Sequence, residues 1–314
     1  MPRNDDATKQ DIWVDRALGG LLGAAARLPY ARRVALGGIV GRRVLARPSG
    51  YRRRILDNLD YVLPDRPEAE RRRIAGEAAD NAGRLLMEHF SIGELGERMA
   101  RVAPEGAGLS ALEEARAAGR PIAMMTAHLG NHEAAWVCLI RHGLPLGGLY
   151  RPLSNPRVNA RYEDAVTRHG YGPLFPQTRA GLGKLLRHMR AGGAAMMLND
   201  IYGGSGVPLD FLGRPAMTSL STADLALKLD ALVLPFFAIR QPDGVSFRVE
   251  VEAPVTEQEP LALTQAINAR VEARILAHPG QWLWMHRRWK RKWNRGAGAA
   301  PDLHPAEQPR RLSR

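Results

Sequence analysis

A histidine and a glutamate five positions apart, in the run HLGNHE at 128–133, form the segment of this sequence best suited to acid–base chemistry. The apolar run 121–126 before it predicts a buried strand, and Asn131 can cap a helix that begins directly afterwards. His128 would then lie in the loop and Glu133 in the first helical turn, where an ionised carboxylate is favoured. Such a carboxylate can hold one ring nitrogen of His128 and leave the other free to accept a proton from a hydroxyl. We therefore predict that His128 is a general base oriented by Glu133; the alternative is a loop histidine beside an ordinary N-terminal acid.

Short apolar runs alternate with helical patterns from about residue 108 onward, which predicts an α/β domain with a mostly parallel sheet. The predicted strands are 121–126, 145–149, 172–175, 194–198, 231–238 and 245–251, and the helices between them are 131–142, 155–169, 179–191 and 218–229. The strand at 245–251 alternates apolar and polar residues, which suits an edge or antiparallel position. Upstream, helices are predicted at 11–27, 31–46, 50–62 and 67–90.

Two charged residues follow strands of this predicted sheet and would emerge at the same end as His128. Arg151 follows 145–149, and Asp200 follows 194–198. Ligands collect at the carboxyl ends of parallel strands, and an arginine there can hold a phosphate or a polarised carbonyl. A structural arginine in a proline-rich loop is the alternative for Arg151. Arg179, at a predicted helix start, is a further candidate for binding phosphate.

The motifs of several other enzyme classes are missing from the sequence. There is no G-x-S-x-G, and the glycine-rich run 203–206 lacks the Gly-Lys-Ser/Thr ending of a P-loop. If Asn131 caps the helix, His128 and His132 do not share a helix face, so we expect no metal site. A base with neither a metal nor a covalent nucleophile suits direct transfer, in which a hydroxyl attacks an already activated carbonyl such as a thioester. Backbone N–H groups near Gly130 and Asn131, or an arginine, are candidates to stabilise the oxyanion.

The charge of the chain is concentrated near its N-terminus. The net charge of +13 over 314 residues requires an anionic partner or surface, and residues 17–56 contain nine arginines and no acid. Apolar residues interleave with these arginines at helical spacing, and no uncharged run reaches the roughly 20 residues of a membrane span. We predict that 1–63 is a basic helical region that lies on an anionic membrane, with a packed helical hairpin as the alternative. Residues 64–293 would form the α/β domain and 294–314 a disordered tail.

Other features bear on location and partners. The single cysteine, Cys138, suits a reducing cytoplasm and is predicted to be a small buried residue. Near the C-terminus, tryptophans alternate with arginine and lysine, which suits contact with lipid headgroups. The same mixture could stack on nucleic-acid bases, although no nucleic-acid-binding motif accompanies it, or the tryptophans could close the core. These tryptophans are Trp282, Trp284, Trp289 and Trp293.

Three segments together resemble the late acyltransferases of lipid A biosynthesis. They are HLGNHE at 128–133, YRPLSNP at 150–156 and WLWMHRRWK at 282–290, and the likeness extends over about 52–290. This family has an H-x4-E or H-x4-D motif, a Y-R-P segment and a W-M-H-R-R-W-K-like segment. The chain departs from the family at His132, where relatives have tryptophan, and around Asp200, where they typically have P-D-Q. The segment 211–218 also resembles the family and could border an acyl groove, or be a loop packed on the core.

The resemblance implies a glycerolipid acyltransferase-like fold that transfers a fatty acyl chain to a hydroxyl of a phosphorylated disaccharide lipid. The donor would be acyl carrier protein, an acidic co-substrate, with no cofactor and no nucleic acid involved. It also implies the cytoplasmic face of the inner membrane of a Gram-negative bacterium. His128 would be the base, Glu133 its orienting partner, and Arg151, Asn131, Asp200 and Arg179 candidates for binding substrate. The alternatives are another acceptor, such as a lysophospholipid or aminolipid, or a non-catalytic protein that binds anionic membranes or nucleic acid.

Overall fold

The computed structural model describes residues 8–45 and 50–289. The chain opens with six helices before the first strand: α1 (Lys9–Ala25), α2 (Tyr30–Leu45), α3 (Gly50–Val62), α4 (Glu68–His89), α5 (Ile92–Met99) and α6 (Leu109–Ala117), counted within those ranges. Strands and helices then alternate: β1 (Ile122–Thr126), α7 (His132–Arg141), β2 (Leu146–Tyr150), α8 (Pro156–Arg168), β3 (Leu174–Pro176), α9 (Arg179–Arg190) and β4 (Ala194–Leu198). The remainder is β5 (Val207–Phe211), β6 (Arg214–Thr218), α10 (Ser221–Lys228), β7 (Leu232–Arg240), β8 (Phe247–Val251), α11 (Pro260–Ala277) and a 3-10 turn, Pro279–Gln281.

The main sheet has the strand order β3-β2-β4-β1-β7-β8 in the part of the chain that is described. β1 is parallel to β4 and β7, and β2 is parallel to β3 and β4. Only the edge strand β8 is antiparallel to its neighbour within this sheet. β1 and β7 are buried along their whole length, as expected for central parallel strands. The predicted α/β class with a mostly parallel sheet is therefore confirmed, including the different orientation of the last strand.

Helices cover both faces of the sheet, and each face has its own apolar core. On one face, α5, α6, α7 and α8 pack against the sheet around Trp136 and Met124. On the other, α9, α10 and α11 pack around Met125 and Leu185. Because successive side chains of a strand point to opposite faces, the neighbours Met124 and Met125 serve different cores. This double cover fixes the register of the strands whose ends carry the candidate site.

Helix α2 docks onto α4 through glycines. A Cβ atom on Gly37 or Gly41 of α2 would overlap the backbone of Gly83 on α4, so only glycine permits so close a crossing. α2 leaves Ile39 and Val40 exposed, while α1 packs on α8 and leaves Trp13 71 % and Leu21 59 % accessible. In the described ranges, no helix combines the length and the apolar character that crossing a membrane requires.

Several elements were missed by the sequence-based prediction. α5, α6 and α11 were not predicted, although the buried positions of α11 follow helical spacing. The hairpin β5–β6 was missed because its turn is Leu212-Gly213, with φ of 55° and 70°. Such a turn usually carries Asn-Gly or Asp-Gly, and a leucine at positive φ hides the signal. The predicted tail 294–314 lies outside the described residues.

A buried ion pair joins α4 to β7. Two guanidinium nitrogens of Arg240 contact the two carboxylate oxygens of Glu88, at 2.6 and 2.7 Å, and both side chains are almost fully buried. The third nitrogen, Nε, donates to Asn81 Oδ1 at 2.8 Å. A bidentate pair with satisfied neighbours is the arrangement in which two buried charges can be retained.

We expect Arg240→Leu to lower the free energy of unfolding by about 3–5 kcal/mol, because it leaves the carboxylate of Glu88 buried without a counter-charge. Denaturant unfolding followed by circular dichroism measures this. Arg72→Leu is the control, because it breaks an exposed pair with Glu68 on the same helix and should cost only about 0.3–0.5 kcal/mol. Similar losses in the two variants would contradict the importance of the buried pair.

Candidate active site

The loop between β1 and α7 is held rigidly by its own backbone and by Asn131. Gly130 has a φ of +58°, and a Cβ there would overlap the carbonyl oxygen of Ala238, so glycine is required. Asn131 caps α7, because its Oδ1 accepts from the N–H groups of Glu133 and Ala134 at 2.9 and 3.2 Å. Its Nδ2 donates to Glu88 Oε2 at 2.9 Å. The predicted helix cap is therefore present, and it ties the loop to the buried ion pair.

His128 is paired with Asp200. Nδ1 of His128 lies 2.9 Å from Asp200 Oδ1, and the backbone N–H of His128 donates to Asp200 Oδ2, also at 2.9 Å. Burial alone would lower the pKa of His128, but the charge of Asp200 and the hydrogen bond outweigh it and raise that pKa. Burial would likewise raise the pKa of Asp200, yet the charge and hydrogen bonds of His128 hold it well below its usual range. A carboxylate and an imidazole in this arrangement can act as an oriented general base.

Glu133 contacts a different histidine. Its Oε1 lies 2.9 Å from Nδ1 of His89 and accepts from the hydroxyl of Tyr162 at 3.1 Å. The ring of His89 also stacks on Tyr162, with centroids 4.2 Å apart. None of the hydrogen bonds among the described residues joins Glu133 to His128. The expected geometry, in which Glu133 holds the ring of His128, is therefore wrong in this structure, and Asp200 takes that place.

Burial would raise the pKa of Glu133, but the charge and hydrogen bond of His89, with further help from Tyr162, lower it instead. In turn, Glu133 raises the pKa of His89 against the effect of burial. Sequence spacing does not predict this pairing, because His89 lies at the end of α4, 44 positions before Glu133. A signal that could have marked His89 is its helical spacing with the buried residues Ile74 and Ala78 of α4.

His132 lies between the two pairs. Its ring centroid is 5.3 Å from that of His128. Burial, aided by the charge of His128, lowers the pKa of His132 to about 4, so its ring is neutral at neutral pH. Its Nδ1 is buried and has no hydrogen-bond partner among the described residues. The pKa of His132 is thus shifted in the opposite direction to the pKa values of His89 and His128.

A cavity of about 630 Å³ opens at the carboxyl end of the parallel strands. His128, Glu133, Arg151, His89 and His132 all line it. Apolar side chains make up much of the remaining wall: Leu85, Trp136, Leu174, Met196, Leu198 and Leu225. A concave, mostly apolar site with a few convergent polar groups is typical of small-molecule binding.

The predicted binding residues differ in their access to this cavity. Arg151 is exposed at its wall, at the same sheet end as His128 and Asp200, as the strand order predicted. The side chain of Asn131 is fully buried and both of its polar groups are engaged. Arg179 is exposed at the start of α9 but does not line the cavity. The segment 211–218 forms the turn and second strand of the hairpin and likewise lies outside the cavity wall.

The backbone candidates for oxyanion stabilisation are already engaged. The N–H of Gly130 donates to the carbonyl of Gln281 at 3.0 Å, and that of Asn131 donates to Ala238 at 3.2 Å. The expectation that these N–H groups face a developing oxyanion is therefore wrong. The guanidinium of Arg151 has no hydrogen bond or ion pair among the described residues, so it is free to contact a ligand.

The tryptophans near the C-terminus are buried. Trp282 and Trp284 are 2 % and 1 % exposed, and Trp289 is 6 % exposed. They pack on one another and on Phe211, with Trp282 and Trp284 edge to face at 4.7 Å. The prediction that these three contact lipid headgroups is wrong, and the alternative that they close the core is correct. Trp293 lies outside the described residues.

A family model described as bacterial lipid A biosynthesis acyltransferase matches residues 3–291. The chain belongs to this acyltransferase family. The match covers the loop with His128, the strands that precede Arg151 and Asp200, and the whole segment with the buried Trp282, Trp284 and Trp289. The resemblance seen in the three sequence segments is therefore confirmed at the level of the family.

The names of individual relatives refer to two kinds of lipid. The lipid A biosynthesis acyltransferase of Haemophilus influenzae is 25 % identical over 264 residues, or 82 % of this chain and 81 % of the relative. The lipid A biosynthesis lauroyltransferase of Escherichia coli is 26 % identical over 283 residues, or 86 % and 89 %. A phosphatidylinositol mannoside acyltransferase of Mycobacterium tuberculosis is 28 % identical over 260 residues, or 79 % and 80 %. These identities of 25–28 % support an acyltransferase and do not single out one acceptor lipid for this chain.

The two histidine–carboxylate pairs make separate predictions for this acyltransferase. Asp200→Asn should lower the pKa of His128 below 6.5, because burial remains while the attraction of the carboxylate is lost. Glu133→Gln should leave the pKa of His128 unchanged and lower that of His89 instead. NMR titration of ¹⁵N-labelled histidines, assigned with single His variants, measures both. A fall in the pKa of His128 in Glu133→Gln alone would reverse the assignment.

Proposed function

We propose that this family member transfers a fatty acyl chain from acyl carrier protein to a hydroxyl of a lipid A precursor. The observation that carries the proposal is the His128–Asp200 pair, which borders a largely apolar cavity at the carboxyl end of the sheet. An oriented base supports attack by a hydroxyl, and the apolar walls suit an acyl chain. The transfer is direct and uses no bound cofactor.

His128 acts as the general base. Asp200 holds the proton on Nδ1, so that Nε2 carries the lone pair. Nε2 takes the proton of the acceptor hydroxyl as its oxygen attacks the thioester carbonyl, and a tetrahedral oxyanion forms. The oxyanion then collapses, the C–S bond breaks, and the thiolate takes the proton from Nε2. This sequence forms one ester bond, breaks one thioester bond and returns His128 to its neutral state.

Arg151 stabilises the oxyanion or holds a phosphate of the acceptor. It is the exposed cation of the cavity wall and lies at the same sheet end as His128. A guanidinium presents several donors in one plane, which suits either oxygen-rich group. Glu133, with its partners His89 and Tyr162, forms the neighbouring part of the cavity wall beside the reacting groups.

We propose that the protein lies on the cytoplasmic face of the inner membrane of a Gram-negative bacterium, with the exposed sides of α1 and α2 against the lipid. Apolar side chains protrude there beside basic ones, as on helices that lie in an anionic membrane surface. The exposed apolar residues are Trp13, Val14, Leu21, Leu36, Ile39 and Val40, and Arg42 and Arg43 lie near the end of α2. The same positive charge attracts acyl carrier protein, which is acidic, and the phosphates of the acceptor.

A second candidate acceptor is a mannosylated phosphatidylinositol. The observation that favours it is the 28 % identity to the phosphatidylinositol mannoside acyltransferase of Mycobacterium tuberculosis. Both acceptors are phosphate-bearing glycolipids with free hydroxyls, so the same base and the same arginine would serve either one.

The test uses purified protein in detergent, a mixed pool of acyl carrier protein thioesters, and either lipid A precursors or phosphatidylinositol mannosides. Mass spectrometry shows which lipid gains an acyl mass. We expect acylation of the lipid A precursor, with a loss of roughly 100-fold or more in His128→Ala. Asp200→Asn should also lose most activity, because His128 is no longer held by a carboxylate.

Two other outcomes decide against parts of the proposal. Acylation of the mannoside alone would keep the mechanism and replace the acceptor. Full activity in a folded His128→Ala variant would remove the mechanism. Arg179→Ala is the matched control, because Arg179 is exposed and lies off the cavity wall, and it should retain normal activity.

A further inference from the structure

Residues 281–288, termed here the closing segment, bind the loop that carries His128. The N–H of Gly130 donates to the carbonyl of Gln281 at 3.0 Å, and the N–H of Leu283 donates to the carbonyl of His128 at 3.1 Å. These two bonds form a short antiparallel bridge between the chain at Leu129 and the chain at Trp282. The closing segment therefore fixes the backbone from which the ring of His128 projects.

The closing segment also binds the loop that carries Asp200. His286 Nε2 accepts from the N–H of Tyr202 at 3.0 Å, and Arg288 donates to the carbonyl of Ile201 at 3.1 Å. The buried guanidinium of Arg288 continues to the hairpin, where it donates to Met217 and Thr218. The loops that carry His128 and Asp200 are thus both hydrogen-bonded to the closing segment.

One side chain of the closing segment reaches the reacting pair itself. The indole Nε1–H of Trp282 donates to Asp200 Oδ2 at 2.9 Å, and this oxygen also accepts from the N–H of His128. The other oxygen of Asp200 contacts the ring of His128. Trp282 is 2 % exposed and does not line the cavity, so it can act on a substrate only through Asp200.

We propose that Trp282 is a positioning residue for acyl transfer, and that its indole N–H fixes the carboxylate of Asp200 in the orientation that His128 requires. The inference rests on the function proposed above. The indole is itself immobilised, because Trp284, Phe211 and Trp289 surround it at centroid distances of 4.7–6.0 Å. A donor locked by packing can hold a carboxylate in place without any rearrangement during the reaction.

Loss of the indole N–H should change the pKa of His128 in one direction. The indole N–H stabilises the ionised form of Asp200 and disperses part of its charge. Without it, the carboxylate still receives both bonds from His128, and more of its negative charge acts on that ring. The pKa of His128 should then rise, and a higher pH is needed to obtain the neutral base.

Other titratable groups face this pair and must stay unchanged in the test. His132 approaches from α7, and His286 and Arg288 approach from the closing segment. Burial lowers the pKa of all three, and Trp282 donates its indole N–H to none of them. A substitution confined to the indole of Trp282 therefore addresses Asp200 and His128 specifically.

The experiment compares Trp282→Phe with Trp284→Phe. Both remove one indole N–H from neighbouring, buried rings, but that of Trp284 donates to the carbonyl of Pro279 at 2.7 Å, away from Asp200. We expect Trp282→Phe to lower kcat by about 10-fold to 100-fold, since it removes a hydrogen bond to a charged group, with little change in KM. The acid limb of its pH–rate profile should move to higher pH. Trp284→Phe keeps an aromatic ring beside Trp282 and leaves the bond to Asp200 in place, so its acid limb should stay at the wild-type position and any loss of kcat should be smaller than in Trp282→Phe.

A Trp282→Phe profile whose acid limb stays in place or moves to lower pH would overturn the proposal, as would equal losses of kcat in the two variants. NMR titration of His128 provides a readout that needs no substrate. The pKa of His128 should rise in Trp282→Phe and should not respond to the same change in an Asp200→Asn background. If the wild type acylates no lipid, the proposed function fails, while the titration still decides whether Trp282 acts on His128 through Asp200.

Discussion

The buried pair of Glu88 and Arg240 is the interaction on which the rest of the site depends. It connects α4 to the central strand β7, and its hydrogen bonds extend through Asn131 to the cap of α7 and through Asn81 to the carbonyls of Gly130 and Gln281. Two charges without solvent are tolerated only because every one of these neighbours is in place. The loop of the candidate base is thus defined by a polar network inside the protein, on the side of the loop away from the ligand cavity.

The candidate site divides its charges into separate compartments. Asp200 and Glu133 are both buried and ionised, and each faces its own histidine. His132 lies close to both pairs, and its pKa, lowered to about 4 by burial, keeps its own ring uncharged at neutral pH. Such a division lets one histidine exchange a proton while the charge state of the other pair remains constant. A single carboxylate shared by two histidines could not separate these tasks, because protonation of one would change the other.

Local patterns in the sequence predicted the strands, their parallel arrangement and the common location of His128, Arg151 and Asp200. Each of these features depends on residues close together in the chain, or on the rule that parallel strands end at one edge. The predicted pairing of His128 with Glu133 is wrong because sequence spacing identifies only residues that are close along the chain. Asp200 and His89 lie on elements that are distant in sequence. The buried tryptophans were misread for a related reason. A mixture of tryptophan and arginine looks the same whether the arginine meets lipid or, as Arg288 does, three oxygens inside the fold.

The closing segment is synthesised after the rest of the candidate site. Backbone bonds to His128 and Gly130, and the indole bond to Asp200, all originate from residues that the ribosome adds after every other part of the site has been made. A nascent chain can build the sheet and the cavity, yet its base and carboxylate lack their final supports until Trp282 emerges. An acyl thioester that meets the nascent chain before Trp282 has been made would therefore find no oriented base. A chain that ends before Trp282 would lack these supports and should be inactive.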